Sequence, residues 1–119
     1  MQSKSVRFAK GFRVVLSNPR AQVAQMTIAP GDAEGGPDNN HRGADQWLYV
    51  VAGRGIAIGR SRRITLRRGT LLLVEQGNLH EIRNVGTTPL KTLNFYSPPA
   101  YDAAGDERSA GKARKHRTR

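Results

Sequence analysis

Short runs of apolar residues recur along the chain and are separated by residues that favour turns. Eight such runs lie at positions 12–16, 23–28, 46–51, 56–58, 64–66, 71–74, 79–82 and 90–95. Runs of this length, bounded by turn-forming residues, are typical of antiparallel strands. No window sustains apolar residues at the i, i+3, i+4 and i+7 spacing of a helix. The pattern therefore predicts an all-β domain.

The strand predicted at residues 46–51 is largely apolar on both faces, because alternate residues of a strand point to opposite sides. One face carries Gln46, Leu48 and Val50, and the other carries Trp47, Tyr49 and Val51. A strand buried on both sides lies between two layers. We therefore expect either the N-terminal strands or a second copy of the chain to cover the outer face, and we predict a homodimer.

The same alternation predicts that His80 points inward. His80 shares a face with Ile82, whereas Glu81 lies on the opposite, outward face. The longest turn-rich segment, residues 29–44, contains four glycines and two prolines. It is predicted to be a loop, and loops are where binding sites are commonly built.

Length and composition place limits on the kind of protein. A chain of 119 residues fits one domain. Cysteine is absent, so a metal would be bound by His, Asn, Gln, Asp or Glu. No apolar run is long enough for a signal peptide, and none approaches the roughly 18 residues of a membrane span. We therefore expect a cytoplasmic protein that does not enter the membrane.

The basic residues are unevenly distributed. The net charge is +11, and residues 107–119 contribute +5 of it, from six lysines or arginines against one glutamate. These residues include no large apolar side chain, so we predict a folded domain over residues 1–104 and a basic, disordered tail over residues 105–119. Six more arginines lie within residues 53–69. They predict an exposed face, and the lack of interleaved aromatic residues argues against single-stranded nucleic acid as a partner.

Residues 39–53 resemble the first motif of the cupin superfamily. That motif is Gly, five residues, His-x-His, three or four residues, Glu, six residues, Gly. Counting back from Gly53 places Gln46 at the glutamate position, His41 at the second histidine and Asn39 at the first. The first motif is therefore matched with two amides in place of an acid and a histidine.

Residues 69–84 resemble the second cupin motif. That motif is Gly, five residues, Pro-x-Gly-x-x-His, three residues, Asn. It matches Gly69, Gly77, His80 and Asn84 without a gap, with Glu75 where proline is expected. The resemblance implies a small jelly-roll β-barrel over most of residues 10–100, and it gives Asn84 a role in shaping a turn.

The resemblance also implies a divalent transition metal, Zn, Ni, Mn or Fe, at the mouth of the barrel. Carried over position by position, its ligands are His41, Gln46 and His80, with Asn39 as a poorer fourth ligand because an amide binds these metals less well than an imidazole. Structural alternatives stand beside these roles: an exposed loop residue for His41, a bond to the loop backbone for Gln46 and a hydrogen-bonded core histidine for His80. A bulge before the strand would bring in Asp45 as a substitute carboxylate.

The family resemblance implies that a small polar or anionic molecule binds beside the metal, with oxygenation or isomerisation of it as a catalytic extension. Tyr49 and Tyr96 are the candidate substrate-binding residues, and Tyr96 has the alternative of packing the end of the barrel. An enzyme requires a titratable group near the metal, such as Tyr49, Tyr96 or Asp45. The two alternative functions are a non-catalytic ligand-binding or sensor module, and a nucleic-acid-associated protein that uses the arginines and the tail.

Overall fold

The computed structural model describes residues 1–36, 43–78 and 80–102, which form nine antiparallel strands. The strands are β1 (Gly11–Ser17), β2 (Gln22–Ile28), β3 (Ala33–Gly36), β4 (Asp45–Ala52), β5 (Arg54–Gly59), β6 (Arg63–Arg67), β7 (Leu71–Val74), β8 (His80–Asn84) and β9 (Leu90–Ser97). The all-β prediction is confirmed. This part of the chain contains no helix with the length and hydropathy needed to cross a bilayer.

The strands form two sheets around a common core. One sheet has five strands in the order β1-β2-β9-β4-β7, and the other has four in the order β3-β8-β5-β6. Leu48 and Leu90 from the first sheet and Leu66 and Ile82 from the second are each no more than 2% exposed and belong to one apolar cluster. The jelly-roll prediction is therefore confirmed as two sheets whose inner faces share one core.

The prediction that residues 29–44 form a loop is wrong for Ala33–Gly36, which is β3. This segment pairs with β8, and Gly36 lies opposite His80. Its sequence, Ala-Glu-Gly-Gly, has no β-branched residue and two glycines, so pairing with β8 rather than intrinsic propensity makes it a strand. The consequence is that the segment following Gly36 starts beside a predicted metal ligand.

The same chain covers only part of the outer face of the five-stranded sheet. β1 extends the sheet beyond β2 instead of crossing its face. The backbone of Ala9 lies over β2, where its N–H donates to Gln25 Oε1 at 3.3 Å and its carbonyl accepts from Gln25 Nε2 at 3.1 Å. On β4, however, Trp47 and Tyr49 are each 41% exposed. Coverage of β4 by the N-terminal strands, one of the two expectations, is therefore wrong.

Candidate functional site

Gln46 occupies an unusual position at the start of β4. It lies opposite Tyr96 of β9 and Val74 of β7, and its side chain points inward and is 2% exposed. Its Oε1 atom is buried and has no hydrogen-bond partner among the described residues. A buried acceptor left unpaired costs about 1–3 kcal/mol, so nearly all such atoms in proteins have a partner. The oxygen of Gln46 is therefore positioned to bind something besides the described side chains.

His80 begins β8 on the opposite sheet. Its side chain is 7% exposed and shares the inner face with Ile82, as the alternation predicted. His80 Nδ1 lies 3.4 Å from the carbonyl oxygen of Asn78, a long hydrogen bond in which an Nδ1–H is the donor. When a ring with this Nδ1–H donor is neutral, Nε2 carries the lone pair, and a neutral imidazole is the form that binds metals. The ring is thus both a buried core histidine and a chemically suitable ligand.

Gln46 and His80 lie at the same end of the barrel. Gln46 pairs with Val74, the last residue of β7, and residues 75–79 lead from there directly to His80. Both side chains are buried between the two sheets. The two motif segments, which are far apart in sequence, are therefore brought together at one end of the fold.

The other two predicted ligands, His41 and Asn39, belong to residues 37–42, which lie outside the described residues. In the chain these residues connect Gly36, opposite His80, with β4, which carries Gln46. Their roles as ligands remain predictions.

Asp45 has a different role from the one considered in the sequence. The ladder between β4 and β9 is regular at Asp45 and Gln46, and its only shift falls between Val50 and Ala52, so no bulge turns Asp45 inward. Asp45 Oδ1 instead accepts a 2.8 Å hydrogen bond from the backbone N–H of Gln76. This bond ties the start of β4 to the segment that leads into His80, which makes Asp45 a positioning residue.

A row of polar side chains on the inner face of β9 was missed in the sequence. Thr92 and Asn94 are fully buried, and Tyr96 is 2% exposed. Thr92 Oγ1 donates to Asn94 Oδ1 at 2.9 Å, and Asn94 Nδ2 donates to the Tyr96 hydroxyl at 3.4 Å. The row ends at Tyr96, directly opposite Gln46. The signal was present, since the same alternation that buries Leu90 also buries residues 92, 94 and 96.

The structure separates the two predicted substrate-binding tyrosines. Tyr96 is buried at the site and packs edge-on against Phe12 and Tyr101, with ring centroids 6.3 and 5.2 Å away. Tyr49 lies on the outer face of β4, next to the exposed Trp47, and is not brought together with Gln46 or His80.

Asn84, the last residue of the second motif, shapes a turn as predicted. Its Nδ2 donates to the carbonyl oxygens of Thr88 and Ile28 at 2.9 and 2.8 Å, and its Oδ1 accepts from the N–H of Gly86 at 2.8 Å. It closes the turn after β8 and ties that turn to β2, at the opposite end of the barrel from His80.

A cavity of about 420 Å³ opens beside His80. Asn78 and His80 line one part of it, and the tip of the β5–β6 hairpin, with Arg60 and Arg62, lines another. Neither arginine forms an ion pair within the described part of the chain, where the ion pair present joins Arg83 to Glu81. The volume suits a small molecule, and two unpaired guanidinium groups favour an anionic one.

The described donors are chemically compatible with a divalent transition metal. They are an amide oxygen without a partner and a buried imidazole, and both kinds of donor occur in metal sites. Among the described residues, no three His, Cys, Asp or Glu side chains cluster closely enough to hold a metal by themselves. A metal at His80 would therefore need further ligands of another kind or from outside the described residues, and the oxygen of Gln46 is one candidate.

Comparisons with known proteins identify the family. The chain matches the cupin domain over residues 24–96. It is 33% identical over 95 residues to the uncharacterized protein YrkC of Bacillus subtilis, a match that covers 74% of this chain and 50% of that protein. It is 26% identical over 78 residues to an oxalate-binding protein of Thermotoga maritima, with 66% and 63% covered. The chain thus spans about half the length of its Bacillus subtilis relative.

The fold agrees with a solved structure of a bacterial protein. BH2720 from Bacillus halodurans superposes with a TM-score of 0.76 at 27% identity, covering 81% of this chain and 76% of that one. The segment that matches the cupin domain, residues 24–96, runs from β2 to β9 and contains both motif regions. The chain therefore belongs to the cupin family.

Proposed function

We propose that this chain binds a divalent transition metal together with a small anionic molecule at the end of the barrel that carries Gln46 and His80. The observation that carries the proposal is the buried Oε1 of Gln46, which has no partner among the described residues. A metal or a metal-bound water would satisfy that oxygen and remove the cost of leaving it unpaired. An apolar residue would serve better if the position were purely structural.

The proposed ligands are His41, Gln46 and His80, with Asn39 as a weaker candidate. All four side chains occupy ligand positions of the two family motifs, and the described pair lies at one end of the barrel. The set is neutral apart from the metal, so a bound divalent cation keeps its full positive charge. Such a cation supplies a strong Lewis acid that polarises an oxygen of the bound molecule.

The anionic character of the second ligand is supported by the cavity beside His80. Arg60 and Arg62 line it without a carboxylate partner among the described residues. A guanidinium group binds a carboxylate or phosphate in a two-point geometry that an ammonium group does not offer. One relative is named for oxalate binding, so oxalate is a suitable first probe.

A non-catalytic binding module is the second candidate function. The buried polar residues of the described chain include no aspartate or glutamate. The titratable groups of the described chain at this end include Tyr96, Tyr101 and His80, a set without a carboxylate for acid–base chemistry. Oxalate that raises the melting temperature without being consumed favours this candidate, whereas turnover that falls in Tyr96→Phe favours an enzyme.

Metal content tests the proposal directly. We expect protein purified without chelator to hold about one transition metal per chain, and His80→Ala to lose it because an imidazole ligand is removed. Gln46→Met should lower the metal content without emptying the site. His116→Ala is the matched control, since it removes a histidine from the predicted tail and should keep the metal. Elemental analysis measures all four proteins.

Equal metal content in the wild type and His80→Ala contradicts the proposal, as does a wild type that stays empty after incubation with Mn, Fe, Ni and Zn. The anionic ligand is tested separately by thermal unfolding with oxalate. The melting temperature should rise in metal-loaded protein and rise less in the Arg60→Ala, Arg62→Ala double variant. An equal rise of the melting temperature in both proteins would contradict the arginine contact and leave the metal site unaffected.

A further inference from the structure

The cavity beside His80 has an apolar floor as well as polar groups at its rim. Four inward-facing apolar residues line it and pack within or against the main apolar cluster: Ala57, Ile64, Leu72 and Val74. Ile64 lies opposite Ala57 on the β5–β6 hairpin, and Leu72 and Val74 are alternate residues of β7. We refer to these four residues as the apolar floor.

The apolar floor lies where the core is left open between the two sheets. β6 and β7 are edge strands of opposite sheets. On β6, Leu66 is fully buried, whereas Ile64, two residues nearer the tip of the hairpin, is only half-buried. Val74 is also half-buried, although it faces inward opposite Gln46. The core is therefore filled at one end of these strands and open at the other, beside the proposed metal site.

Polar and apolar groups are segregated along the cavity. Arg60 and Arg62 lie at the tip of the β5–β6 hairpin. Gly59, the residue before this tip, lies opposite His80. Ile64 lies further from the tip, on the part of the hairpin that packs against the core. A molecule whose acid group lies between the arginines and His80 would therefore extend the rest of its structure over the apolar floor.

We infer that the anionic molecule bound in this cavity is a carboxylic acid with an apolar body, such as an aliphatic chain of several carbon atoms. The inference rests on the proposed function, because it uses the same arginines and the same end of the barrel, and it specifies the class of molecule. The acid group binds at Arg60 and Arg62, and the apolar body covers the floor. Each methylene group buried there should tighten binding by about fourfold.

The size of the cavity favours an acid larger than oxalate. Its volume of about 420 Å³ lies within the roughly 300–1,000 Å³ of pockets that enclose drug-sized molecules. Oxalate is small and carries polar oxygens at both ends, so it would leave the apolar floor uncovered. Residues 37–42, outside the described residues, contain no Leu, Ile, Val or Met, so they add no long aliphatic side chain to the floor. An acid with an apolar body complements both parts of the lining.

Isothermal titration calorimetry of the full chain with straight-chain carboxylates tests the inference. Butyrate, hexanoate and octanoate are titrated into metal-loaded protein, beside oxalate. We expect one site per chain and an affinity that rises roughly fourfold with each added methylene until the floor is covered. Hexanol has the same chain as hexanoate without the acid group. It should bind more weakly than hexanoate, because a guanidinium group pairs with a carboxylate and not with an alcohol of this kind.

Two variants test whether the chain of the acid lies on the apolar floor. Ile64→Thr replaces an apolar side chain by a shorter one with a hydroxyl, so it should weaken octanoate about fivefold or more and leave oxalate unchanged. Ile56→Thr is the matched control, because Ile56 lies on the outer face of the same hairpin, opposite Thr65. Ala57→Leu extends a side chain into the cavity. It should weaken octanoate while butyrate binds as it does to the wild type.

Circular dichroism establishes whether each variant is folded, and the chain-length series in the wild type decides the question even if both floor variants unfold. Octanoate that binds no more tightly than butyrate overturns the inference. A folded Ile64→Thr that binds octanoate as tightly as Ile56→Thr also overturns it. A wild type that holds no metal but still shows the chain-length dependence contradicts the metal site and supports this inference. Oxalate binding without any chain-length dependence has the reverse meaning.

Discussion

The two sheets of the barrel differ in how they distribute polar and apolar residues. The four-stranded sheet is conventional: Ala57, Leu66 and Ile82 face the core, while Arg54 and Arg67 are exposed on its outer side. The five-stranded sheet is partly inverted. It turns buried Thr, Asn and Gln side chains inward, at positions 92, 94 and 46, and it exposes Trp, Tyr, Leu and Phe outward.

On the inner face of the sheet, the inversion coincides with the region for which we propose function. Consistent patterning of apolar and polar residues stabilises a fold, so departures from it are expected where function requires them. On the inner side, the buried polar residues follow β9 to Tyr96, which lies opposite Gln46 of β4 at the proposed metal site. On the outer side, it exposes large apolar side chains, which are those of Trp47, Tyr49, Leu71, Leu73 and Phe95. The four-stranded sheet contributes His80 and the arginines at the cavity, and its remaining inward residues mainly pack the core.

The conventional sheet should respond to mutation as an ordinary core does, which gives the largest expected effect. Leu66 is fully buried on β6 within the main apolar cluster. Leu66→Ala should lower the free energy of unfolding by about 3 kcal/mol, because it removes buried apolar surface and leaves a cavity. Urea denaturation followed by circular dichroism measures the change. A loss below about 1 kcal/mol would mean that the core collapses around the smaller side chain.

On the five-stranded sheet, replacing the buried Gln46 should stabilise the protein, whereas replacing Leu66 destabilises it. In metal-free protein, Gln46→Met keeps the length of the side chain and removes the unpaired oxygen. We expect the free energy of unfolding to rise by about 1–2 kcal/mol, since a buried acceptor without a partner is destabilising. The same urea experiment, with chelator present, measures it. A variant that is more stable and binds less metal would identify Gln46 as a residue retained for binding.

Asn94→Leu is the matched control for Gln46→Met. Asn94 is also buried and faces inward, but it is bonded to Thr92 and Tyr96. Its replacement should lower the free energy of unfolding by about 1–3 kcal/mol, because both hydroxyl groups lose a partner. If both variants are destabilised equally, the oxygen of Gln46 has a partner within the protein, and the argument for a ligand there fails.

Alternation in the sequence predicted the direction of side chains better than their burial. It placed His80 inward correctly, because the pleat of a strand fixes that direction locally. It also placed Trp47 and Gln46 on opposite faces of β4. Whether Trp47 is buried, however, depends on what packs against the sheet, and the sequence of the strand does not determine that. The unpaired state of Gln46 was equally inaccessible, since it depends on groups distant in sequence. The motif resemblance supplied the candidate ligands, and the topology placed two of them at one end.

The outer side of the four-stranded sheet offers the smallest and most specific test of the comparison. Arg54 and Arg67 are direct cross-strand partners on β5 and β6 and are both exposed. Like charges in such a pair are destabilising, so Arg54→Glu should raise the free energy of unfolding by about 0.5 kcal/mol at low salt, and the gain should disappear in high salt. Arg68→Glu is the control, because Arg68 lies in the turn after β6 and makes the same change of charge without a strand partner. Reversing both Arg54 and Arg67 should restore the repulsion and remove the gain. If the double reversal is instead as stable as Arg54→Glu, the effect comes from lowering the net charge of the whole chain and not from this pair.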